Sequence, residues 1–347
     1  MIDYVIVGAG IAGVCFAETC LQNGRSVVLI NDASQNASRV AAGLYNPVIL
    51  KRFSSLENAQ EQLDLAANFY SKIEAKLQQK FDHRLPILRK FFSIEEQNDW
   101  FAASDKPGLK PFLSTNLVSK KYSGIESPFG YGEVLQTGYV DTAVLLDGYQ
   151  QWLSANGLLQ TTSFVYSDLE ITADHIQYQD LQAKNIVFAE GFGIHANPLF
   201  NDLPLDGTKG ELFIVQAEGL DLDVIVNTSL FVLPLGNRLY KIGATYNWQD
   251  KTNQPSEEGK QELLSKITEI LNCDFEVIEH LAGVRPTVKD RKPLLGSHRE
   301  FKNVHILNGL GTRGVMQGPM MAKNLFDHIE HQIPLNRTYD IKRFEKS

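Results

Sequence analysis

Apolar and polar residues near the N-terminus alternate in blocks that predict a strand, a helix and a second strand. Tyr4–Val7 is a short apolar run rich in β-branched residues, which is typical of a strand buried on both faces. Ile11–Gln22 follows as a helix that Gly24 ends, and Ser26–Ile30 is a second buried strand. The order predicts a βαβ unit at the start of the chain.

Three glycines, Gly8, Gly10 and Gly13, lie between the first strand and the helix at GxGxxG spacing. In a βαβ unit the first allows a tight turn, the second lets backbone N–H groups approach a pyrophosphate, and the third lets helix and strand pack closely. The positive end of the helix, which begins with Ile11 and Ala12, then faces the phosphate charge. The spacing therefore predicts a dinucleotide site.

The end of the second strand departs from the usual pattern. An acidic residue is expected there to hold the ribose hydroxyls, but Asn31 occupies the place and Asp32 follows. Asparagine can accept one such bond without charge, and Asp32 is the alternative. The sequence leaves this ribose contact open, but it does not put the fold in doubt.

The rest of the chain mixes helices with short alternating strands. We expect helices over Glu57–Lys80, Ser93–Phe101, from Asp141 to before Gly157, over Ser256–Leu271 and from about Pro319, with irregular segments at Ala33–Ser55 and Lys106–Gly132. Strands are expected at Glu133–Thr137, Leu169–Ile171, Ile176–Tyr178, Asn185–Ala189, Glu211–Gln216, Leu230–Leu233, Leu239–Ile242, Val277–Arg285 and Val304–Leu307. Gly236-Asn237 is a strong hairpin signal, which makes the sheet around it antiparallel.

Composition places limits on the class of protein. A chain of 347 residues exceeds one typical core and predicts two domains, and its net charge of −8 disfavours nucleic acid as the main partner. The sequence has no apolar run of the roughly 20 residues that a membrane span needs, and its N-terminus lacks the basic leader of a signal peptide. Cys15, Cys20 and Cys273 form no CxxC pair, which favours a reducing cytoplasm, and the histidines lack metal-ligand spacing.

Several motifs spread over the whole chain carry a family resemblance. They are the N-terminal unit and the runs AAGLYNP, GYVDTAVLLDGYQQWL, VFAEGFG, AGVRP, DRKPLLG and NGLGTRGV. In this order they resemble the FAD-dependent amine and amino-acid oxidase family, which includes the D-amino acid, sarcosine and glycine oxidases. Leu44–Pro47 and Gly309–Gly314 are most similar to glycine oxidases and to the oxidase half of the bifunctional enzymes that modify the tRNA wobble uridine.

The resemblance implies an α/β fold with two domains. A Rossmann-like FAD-binding domain would be discontinuous, made of residues 1–45, 140–198 and 286–347. An α+β substrate domain, made of residues 46–139 and 199–285, would place a large antiparallel sheet over the flavin ring. The chain begins directly at the FAD motif, so we expect no methyltransferase half.

The resemblance also assigns cofactor contacts beyond the first βαβ unit. Ser38 and Arg39 would meet the phosphate and ribose region, and Leu169 is a weaker candidate for the adenine. Ala42, Gly43 and Leu44 would pass close to the isoalloxazine, where small residues suit a flat ligand; a plain surface loop is the alternative. The loop near flavin N1 and O2 would contribute Gly309, Gly311, Thr312, Arg313, Gly314 and Val315. The second glycine turn would contribute Glu190 and Gly191. Nothing matches the cysteine that holds FAD covalently in some relatives, so we expect a dissociable cofactor.

Three residues are candidates for substrate contacts. Arg285 matches the carboxylate-binding arginine of the family, and its planar fork suits bidentate binding; an arginine in a surface ion pair is the alternative. Arg313, between two glycines, would face the substrate or the flavin, and Tyr246 would line the pocket, although the chain has twelve tyrosines.

The chemistry that the resemblance implies is oxidation of a C–N bond. A neutral amine would lose hydride from its α-carbon to flavin N5, and water would hydrolyse the resulting imine, with oxygen or another acceptor taking the electrons. Three hypotheses follow: an oxidase or dehydrogenase of a small amino acid or secondary amine, a stand-alone oxidase of a carboxymethylaminomethyl-modified uridine in tRNA, and a flavin protein without turnover of its own.

Overall fold

A computed structural model describes residues 1–345 of the chain. The strands are β1 (Ile2–Val7), β2 (Val27–Ile30), β3 (Leu44–Tyr45), β4 (Val48–Ile49), β5 (Ser54–Ser55), β6 (Asp82–Arg84), β7 (Ile87–Lys90), β8 (Leu113–Val118), β9 (Tyr131–Val134), β10 (Gly138–Val140), β11 (Leu159–Gln160), β12 (Leu169–Ile171), β13 (Ile176–Tyr178), β14 (Leu181–Phe188), β15 (Thr208–Gln216), β16 (Ile225–Asn227), β17 (Phe231–Gly236), β18 (Leu239–Gly243), β19 (Glu276–Arg285), β20 (Leu294–Ser297) and β21 (Val304–Asn308). The α-helices are α1 (Ile11–Gln22), α2 (Ala37–Val40), α3 (Ala59–Leu77), α4 (Ile94–Ser104), α5 (Thr142–Ala155), α6 (Glu257–Ile270) and α7 (Gly314–His331). Short 3₁₀ helices lie at Tyr166–Asp168, Gly191–Ala196, Gly311–Arg313 and Ile341–Phe344.

The first sheet has a parallel centre. Five strands lie side by side in the order β11-β2-β1-β14-β21, and all four pairings between them are parallel. The antiparallel strand β20 extends one edge, β13 pairs with the first half of β14, and β12 pairs with β13. The carboxyl ends of β1, β2 and β14 meet at one edge, where Gly8, Asn31 and Glu190 follow the strands. Ligands of open parallel sheets bind at this edge.

Two glycines allow β1, α1 and β14 to approach one another closely. Gly8 has φ +101°, and a Cβ there would fall 2.5 Å from the carbonyl oxygen of Ala189. A Cβ on Gly13 would fall 1.9 Å from the carbonyl oxygen of Gly8. Larger residues at either position would therefore push the helix or β14 away from β1. The packing roles predicted from the GxGxxG spacing are confirmed.

The second sheet has the order β19-β15-β18-β17-β16-β7-β9-β8. All neighbours are antiparallel except β16 and β7, which are parallel. The predicted hairpin between β17 and β18 is confirmed, because Asn237 and Arg238 both have positive φ values, as a two-residue type I′ turn requires. Helix α6 packs against β15 on one face of this sheet. The prediction of a Rossmann-like unit joined to a second α+β unit is thus confirmed.

Some predicted elements have different boundaries. Lys106–Gly132, predicted as irregular, contains the edge strand β8, whose residues, mostly exposed or half-buried, do not alternate between apolar and polar. The strand expected over Glu133–Thr137 lies at Tyr131–Val134. The segment Ala33–Ser55, predicted as a loop, holds the single turn α2 and the short strands β3 to β5. Strand β3 depends on β10, a partner distant in sequence, and β4 and β5 pair only with each other over two residues each, so no alternation marks any of the three.

Helix α7 begins at Gly314 and not at Pro319, which lies inside it. Proline has no N–H, so the carbonyl of Val315, four residues earlier, has no helical donor. The hydroxyl of Tyr70, from α3, donates to that carbonyl at 2.6 Å. A side chain from another helix thereby satisfies the buried acceptor and ties α3 to α7. Within residues 1–345, no helix is long and apolar enough to cross a membrane.

Tyr70→Phe should destabilise the protein by about 1–3 kcal/mol, because it leaves the buried Val315 carbonyl without a donor. The measurement is urea unfolding, followed by circular dichroism. Adding Pro319→Ala to Tyr70→Phe supplies a backbone N–H to the same carbonyl, so the double variant should regain part of the loss. Additive destabilisation by the two substitutions would contradict this account.

Candidate active site

A cavity of about 550 Å³ is lined by residues of both sheets. One part of its wall follows the carboxyl ends of β1, β2 and β14, with Gly8, Asn31 and Glu190. The opposite part is formed by the second sheet, with Leu212, Phe231 and Arg285 among its lining residues. The cavity thus joins the predicted nucleotide site to the predicted substrate residues.

The first turn of α1 presents free backbone donors to this cavity. Its N-cap is Gly10, which has no capping side chain, and the turn contains no acidic residue. The hydroxyl of Ser38 accepts from the Ile11 N–H at 3.2 Å, which leaves the N–H group of Ala12, a residue of the cavity wall, for a ligand. Oriented N–H groups at a helix N-terminus fit a phosphate.

Helix α7 opens onto the cavity in the same way. No side chain caps its first turn, and no acidic residue lies in it. The N–H groups of Gly311 and Arg313 donate to the carbonyls of Pro286 and Leu310, so these two cannot serve a ligand. Thr312, Gly314 and Val315 line the cavity. Of the predicted flavin loop, these three positions are the ones suited to donate backbone hydrogen bonds.

Asn31 and Asp32 both line the cavity, and each has a protein partner. The Asn31 side-chain oxygen accepts from the Ala9 N–H at 3.1 Å, across the glycine turn. Asp32 accepts from the N–H of Ser34 and the hydroxyl of Ser163, both at 2.9 Å. Asn31 therefore stabilises the turn itself, an interaction that its position in the sequence did not predict.

Glu190 is a partly buried carboxyl group in the nucleotide part of the cavity. The hydroxyl of Tyr166 and the amide of Asn197 donate to its two oxygens, the latter at 2.8 Å. Burial raises the pKa of Glu190 to about 7, against the lowering effect of these two hydrogen bonds, and Asp32 adds to the increase. This carboxyl group therefore titrates near neutral pH.

Arg285 lies at the end of β19 with its guanidinium folded over Gly210. A Cβ on Gly210 would fall 2.0 Å from an Arg285 nitrogen, so only glycine leaves room for this side chain. One guanidinium nitrogen donates to the Thr245 carbonyl at 3.2 Å. The guanidinium carbon, Cζ, lies 4.6 Å from the centroid of the Tyr246 ring. Burial lowers the pKa of Arg285, and no carboxylate of residues 1–345 forms an ion pair with it. The site thus holds a partly buried cation that has no counter-charge in the described chain.

Tyr246 lies at the rim of the cavity, with 62% of its surface exposed. Arg313 is close enough for the two groups to interact electrostatically, and burial together with nearby Arg291 lowers the pKa of Arg313. Within residues 1–345, neither Arg291 nor Arg313 forms an ion pair. The rim is therefore positive although the chain carries a net charge of −8.

Most predicted contact residues line the cavity, and five do not. Ala42, Gly43 and Leu44 lie in its wall together with Gly191. The five positions outside the wall are Gly13, Arg39, Leu169, Gly309 and Arg313. Arg39 forms an ion pair with Asp147 of α5, and Leu169 packs against the core beside the first sheet. A cofactor contact by Arg39 or Leu169 therefore has no support in this geometry.

Sequence reasoning missed several residues of the wall. Phe164 and Tyr166 lie at the nucleotide part, close to where Leu169 was expected to act. Asn227, Ser229 and Phe231 lie at the other end, on the turn between β16 and β17 and its flanking strands. Only Phe164 and Tyr166, two aromatic residues on either side of Val165 in a mostly polar stretch, gave any local signal. Among residues 1–345 no group of three or more His, Cys, Asp or Glu side chains is arranged to hold a metal ion.

The sequence profile of the FAD dependent oxidoreductase (DAO) family matches residues 3–328. The match spans most of the chain, so this protein belongs to that family, and its cofactor is FAD. The geometry fits the cofactor, because two uncapped helix N-termini supply oriented donors around one cavity. The N-terminal glycine turn would hold the pyrophosphate, and the segments 42–44 and 312–315 would enclose the flavin.

Two kinds of enzyme are among the relatives that this chain is similar to in sequence. The tRNA 5-methylaminomethyl-2-thiouridine biosynthesis bifunctional protein MnmC of Marinobacter nauticus is 23% identical over 378 residues, covering 98% of this chain and 57% of that protein. A glycine oxidase of Bacillus licheniformis is 26% identical over 155 residues, covering 43% of this chain and 42% of that protein. The chain therefore spans little more than half the length of the bifunctional relatives that it matches.

Solved structures share the fold at low sequence identity. Glycine oxidase from Geobacillus kaustophilus superimposes with a TM-score of 0.79 at 15% identity and covers 99% of both chains. Iminodiacetate oxidase from Chelativorans sp. BNC1 superimposes with a TM-score of 0.77 at 18% identity, covering 97% of this chain and 98% of the other. These likenesses confirm the Rossmann-like fold with its second sheet.

The titration of Glu190 should make stability depend on pH. Because its pKa is about 7 in the folded protein and 4.5 without burial, the free energy of unfolding should fall as pH rises between these values. The slope is at most about 1.4 kcal/mol per pH unit. Glu190→Gln should abolish this slope in urea unfolding of the cofactor-free protein, whereas Glu170→Gln, at an exposed position, should retain it. An unchanged slope in Glu190→Gln would show that another group titrates.

Proposed function

We propose that this chain oxidises the C–N bond of a small amino acid or secondary amine that carries a carboxylate. The observation that supports this most is the partly buried guanidinium of Arg285 in the cavity wall, without an ion-pair partner in the described chain. A buried charge without a partner is costly, and an anionic ligand offsets that cost. The proposal thus names a carboxylate for Arg285 and leaves the side chain of the amino acid open.

The surroundings of Arg285 favour one orientation of the bound carboxylate. The bond to the Thr245 carbonyl and the ring of Tyr246 hold the guanidinium, so its remaining N–H donors can form a fork. The apolar side chains of Leu212 and Phe231 line the neighbouring wall and exclude water from the substrate. In this arrangement the carboxylate is anchored and the α-carbon projects toward segments 42–44 and 312–315.

The chemistry needs little acid–base apparatus from the protein. Bound FAD would supply the acceptor for the hydride from the α-carbon of the neutral amine, and water would hydrolyse the resulting imine. The residues of this chain orient the amine, exclude water and supply N–H donors from the first turn of α7. We propose residues 1–45, 140–198 and 286–347 as the unit that binds FAD, and residues 46–139 and 199–285 as the unit that covers the substrate.

Arg285→Ala should leave FAD binding intact and reduce kcat/KM for carboxylated amines by roughly 30-fold to several thousand-fold. The estimate follows from the about 2–5 kcal/mol that truncating one partner of a buried charge pair costs. Arg285→Lys should recover only part of this loss, because lysine lacks the planar fork. Amines without a carboxylate should be much less affected. The measurement is steady-state oxidation of both substrate types, with the flavin spectrum as the check on cofactor content.

The matched control is Arg299→Ala, which removes an exposed arginine that pairs with Glu300. It should not change kcat/KM for either substrate type. Normal turnover of carboxylated substrates by Arg285→Ala would make this arginine structural and place the substrate elsewhere.

A second candidate function is oxidation of a carboxymethylaminomethyl-type modified uridine in tRNA. The observation that favours it is the positive rim, where the exposed Tyr246 ring lies near Arg285 and Arg313, with Arg291 beside Arg313. An aromatic ring can stack on a base and arginines can contact phosphates. The amine of such a substrate is a glycine attached to a nucleoside, so Arg285 would keep the same role.

Anaerobic mixing with candidate substrates should separate these functions. We expect glycine, sarcosine or another small amino acid to bleach the flavin absorbance, and unmodified tRNA to have no effect. If modified tRNA bleaches the flavin and no free amino acid does, the second function replaces the first, and the reaction should weaken steeply with added salt. If neither class of substrate bleaches it, the protein binds flavin without turnover of its own.

A further inference from the structure

Asn227 lies in the wall of the cavity at the end of β16. In the strand order of the second sheet, β16 is four strands away from β19, which carries Arg285. Its side-chain oxygen accepts a hydrogen bond from Arg89 at 3.1 Å. An arginine carries donors only, so the oxygen, and not the nitrogen, of the amide must face it. The amide nitrogen of Asn227 donates to no residue in the range 1–345. Asn227 therefore offers the cavity only hydrogen-bond donors.

Arg89 itself is held in place by two further groups. Its Nε and one terminal nitrogen donate to a single carboxylate oxygen of Glu96, at 2.9 and 2.7 Å. The nitrogen that bonds Asn227 also donates to the Thr228 carbonyl at 2.8 Å. The other oxygen of Glu96 accepts from the Phe92 N–H at 2.9 Å. All three nitrogens of the Arg89 guanidinium are therefore hydrogen-bonded, and these bonds fix the nitrogen that donates to Asn227.

The register of the sheet gives the separation between Asn227 and Arg285. Asn227 lies opposite Phe231, Phe231 opposite Gly243, and Gly243 opposite Leu212, so three strand spacings separate β16 from β15. At about 4.8 Å per spacing, the backbones are roughly 14 Å apart. The guanidinium of Arg285 lies over Gly210, also on β15. One carboxylate therefore cannot bind both residues.

We infer that Asn227, positioned by Arg89, binds a hydrogen-bond acceptor at the distal end of the substrate. This inference rests on the proposed function, in which Arg285 holds the carboxylate, and it adds a second polar group to the substrate class. That group is a carbonyl or carboxamide oxygen several bonds away from the amine. Glycine itself is too short to reach Asn227, so the enzyme should prefer N-substituted glycines that end in such an acceptor.

The test uses alkoxyacetates as probes, because an ether oxygen in place of the amine cannot form an imine. Two probes of equal length are compared, one ending in a carboxamide and the other in an isopropyl group of the same shape, over a series of increasing chain length. Dissociation constants are measured from the change in flavin absorbance of the FAD-loaded protein. The readout for each variant is the ratio of the two constants.

Wild-type protein should bind the carboxamide probe roughly 3- to 10-fold more tightly than the isopropyl probe once the chain is long enough. Asn227→Asp should abolish this preference, because the new carboxylate pairs with Arg89 and has no donor. Arg89→Lys should reduce it, since lysine lacks the fork that holds Glu96 and Asn227 together. Asn98→Asp, which adds the same charge at an exposed position of α4, should leave the ratio unchanged.

The experiment distinguishes a wrong carboxylate site at Arg285 from a wrong role for Asn227. If methoxyacetate, the shortest probe, does not bind, or binds equally to Arg285→Ala, the carboxylate site is wrong and the inference falls with it. If methoxyacetate binds through Arg285 but wild-type protein shows no carboxamide preference at any length, or Asn227→Asp keeps the preference, the carboxylate site stands and the role of Asn227 is refuted. Because a ratio is measured, a general loss of stability in a variant does not imitate the expected result.

Discussion

The close contact between β1, α1 and β14 is the constraint on which the nucleotide part of the cavity depends. Gly13 brings the backbone of α1 against the carbonyl of Gly8, and Gly8 brings β1 against Ala189. With α1 this close, its free N–H groups point into the space beyond the strand ends. A single Cβ at either glycine would move the donors away from that space, so the phosphate site and the packing of the sheet have one physical cause.

The cavity combines two kinds of positive potential that come from different sources. At the nucleotide part, the backbone N–H groups in the first turn of α1 act without a cationic side chain in that turn. At the substrate end, the charge belongs to Arg285, whose burial makes an anion the group that best compensates it. An acidic protein can therefore bind an anionic cofactor and a carboxylate, because local donors and not net charge decide the potential inside the cavity.

Buried polar networks hold the segments that carry the substrate residues. Lys209 of β15 is fully buried and bonds Asp250 at 2.5 Å, with Glu211 at 3.3 Å. Glu211 also accepts from the N–H and hydroxyl of Ser256, which begins α6. These contacts attach the segment after Tyr246 to the sheet, as Arg89 attaches the turn at Asn227 on the other side. Both ends of the substrate wall are thereby fixed by ion pairs whose partners come from separate elements.

The sequence alone determined the elements whose cause is local. The βαβ unit, the hairpin at Asn237 and the helix caps at Ser93 and Asp141 were predictable because turn geometry, capping and apolar periodicity act within a few residues. The FAD fold and the role proposed for Arg285 followed from the family resemblance of motifs such as AGVRP and from their order along the chain.

What only the tertiary structure decided depends on residues far apart in the chain. The edge strand β8, the separation of Asn227 from Arg285 across the second sheet, and the bond from Tyr70 to Val315 exist only once strands and helices have paired. The same holds for Leu169, which packs into the core while Phe164 and Tyr166 reach the cavity. Sheet register and side-chain direction are set by long-range packing, so no local pattern could indicate which of these residues would face the ligand.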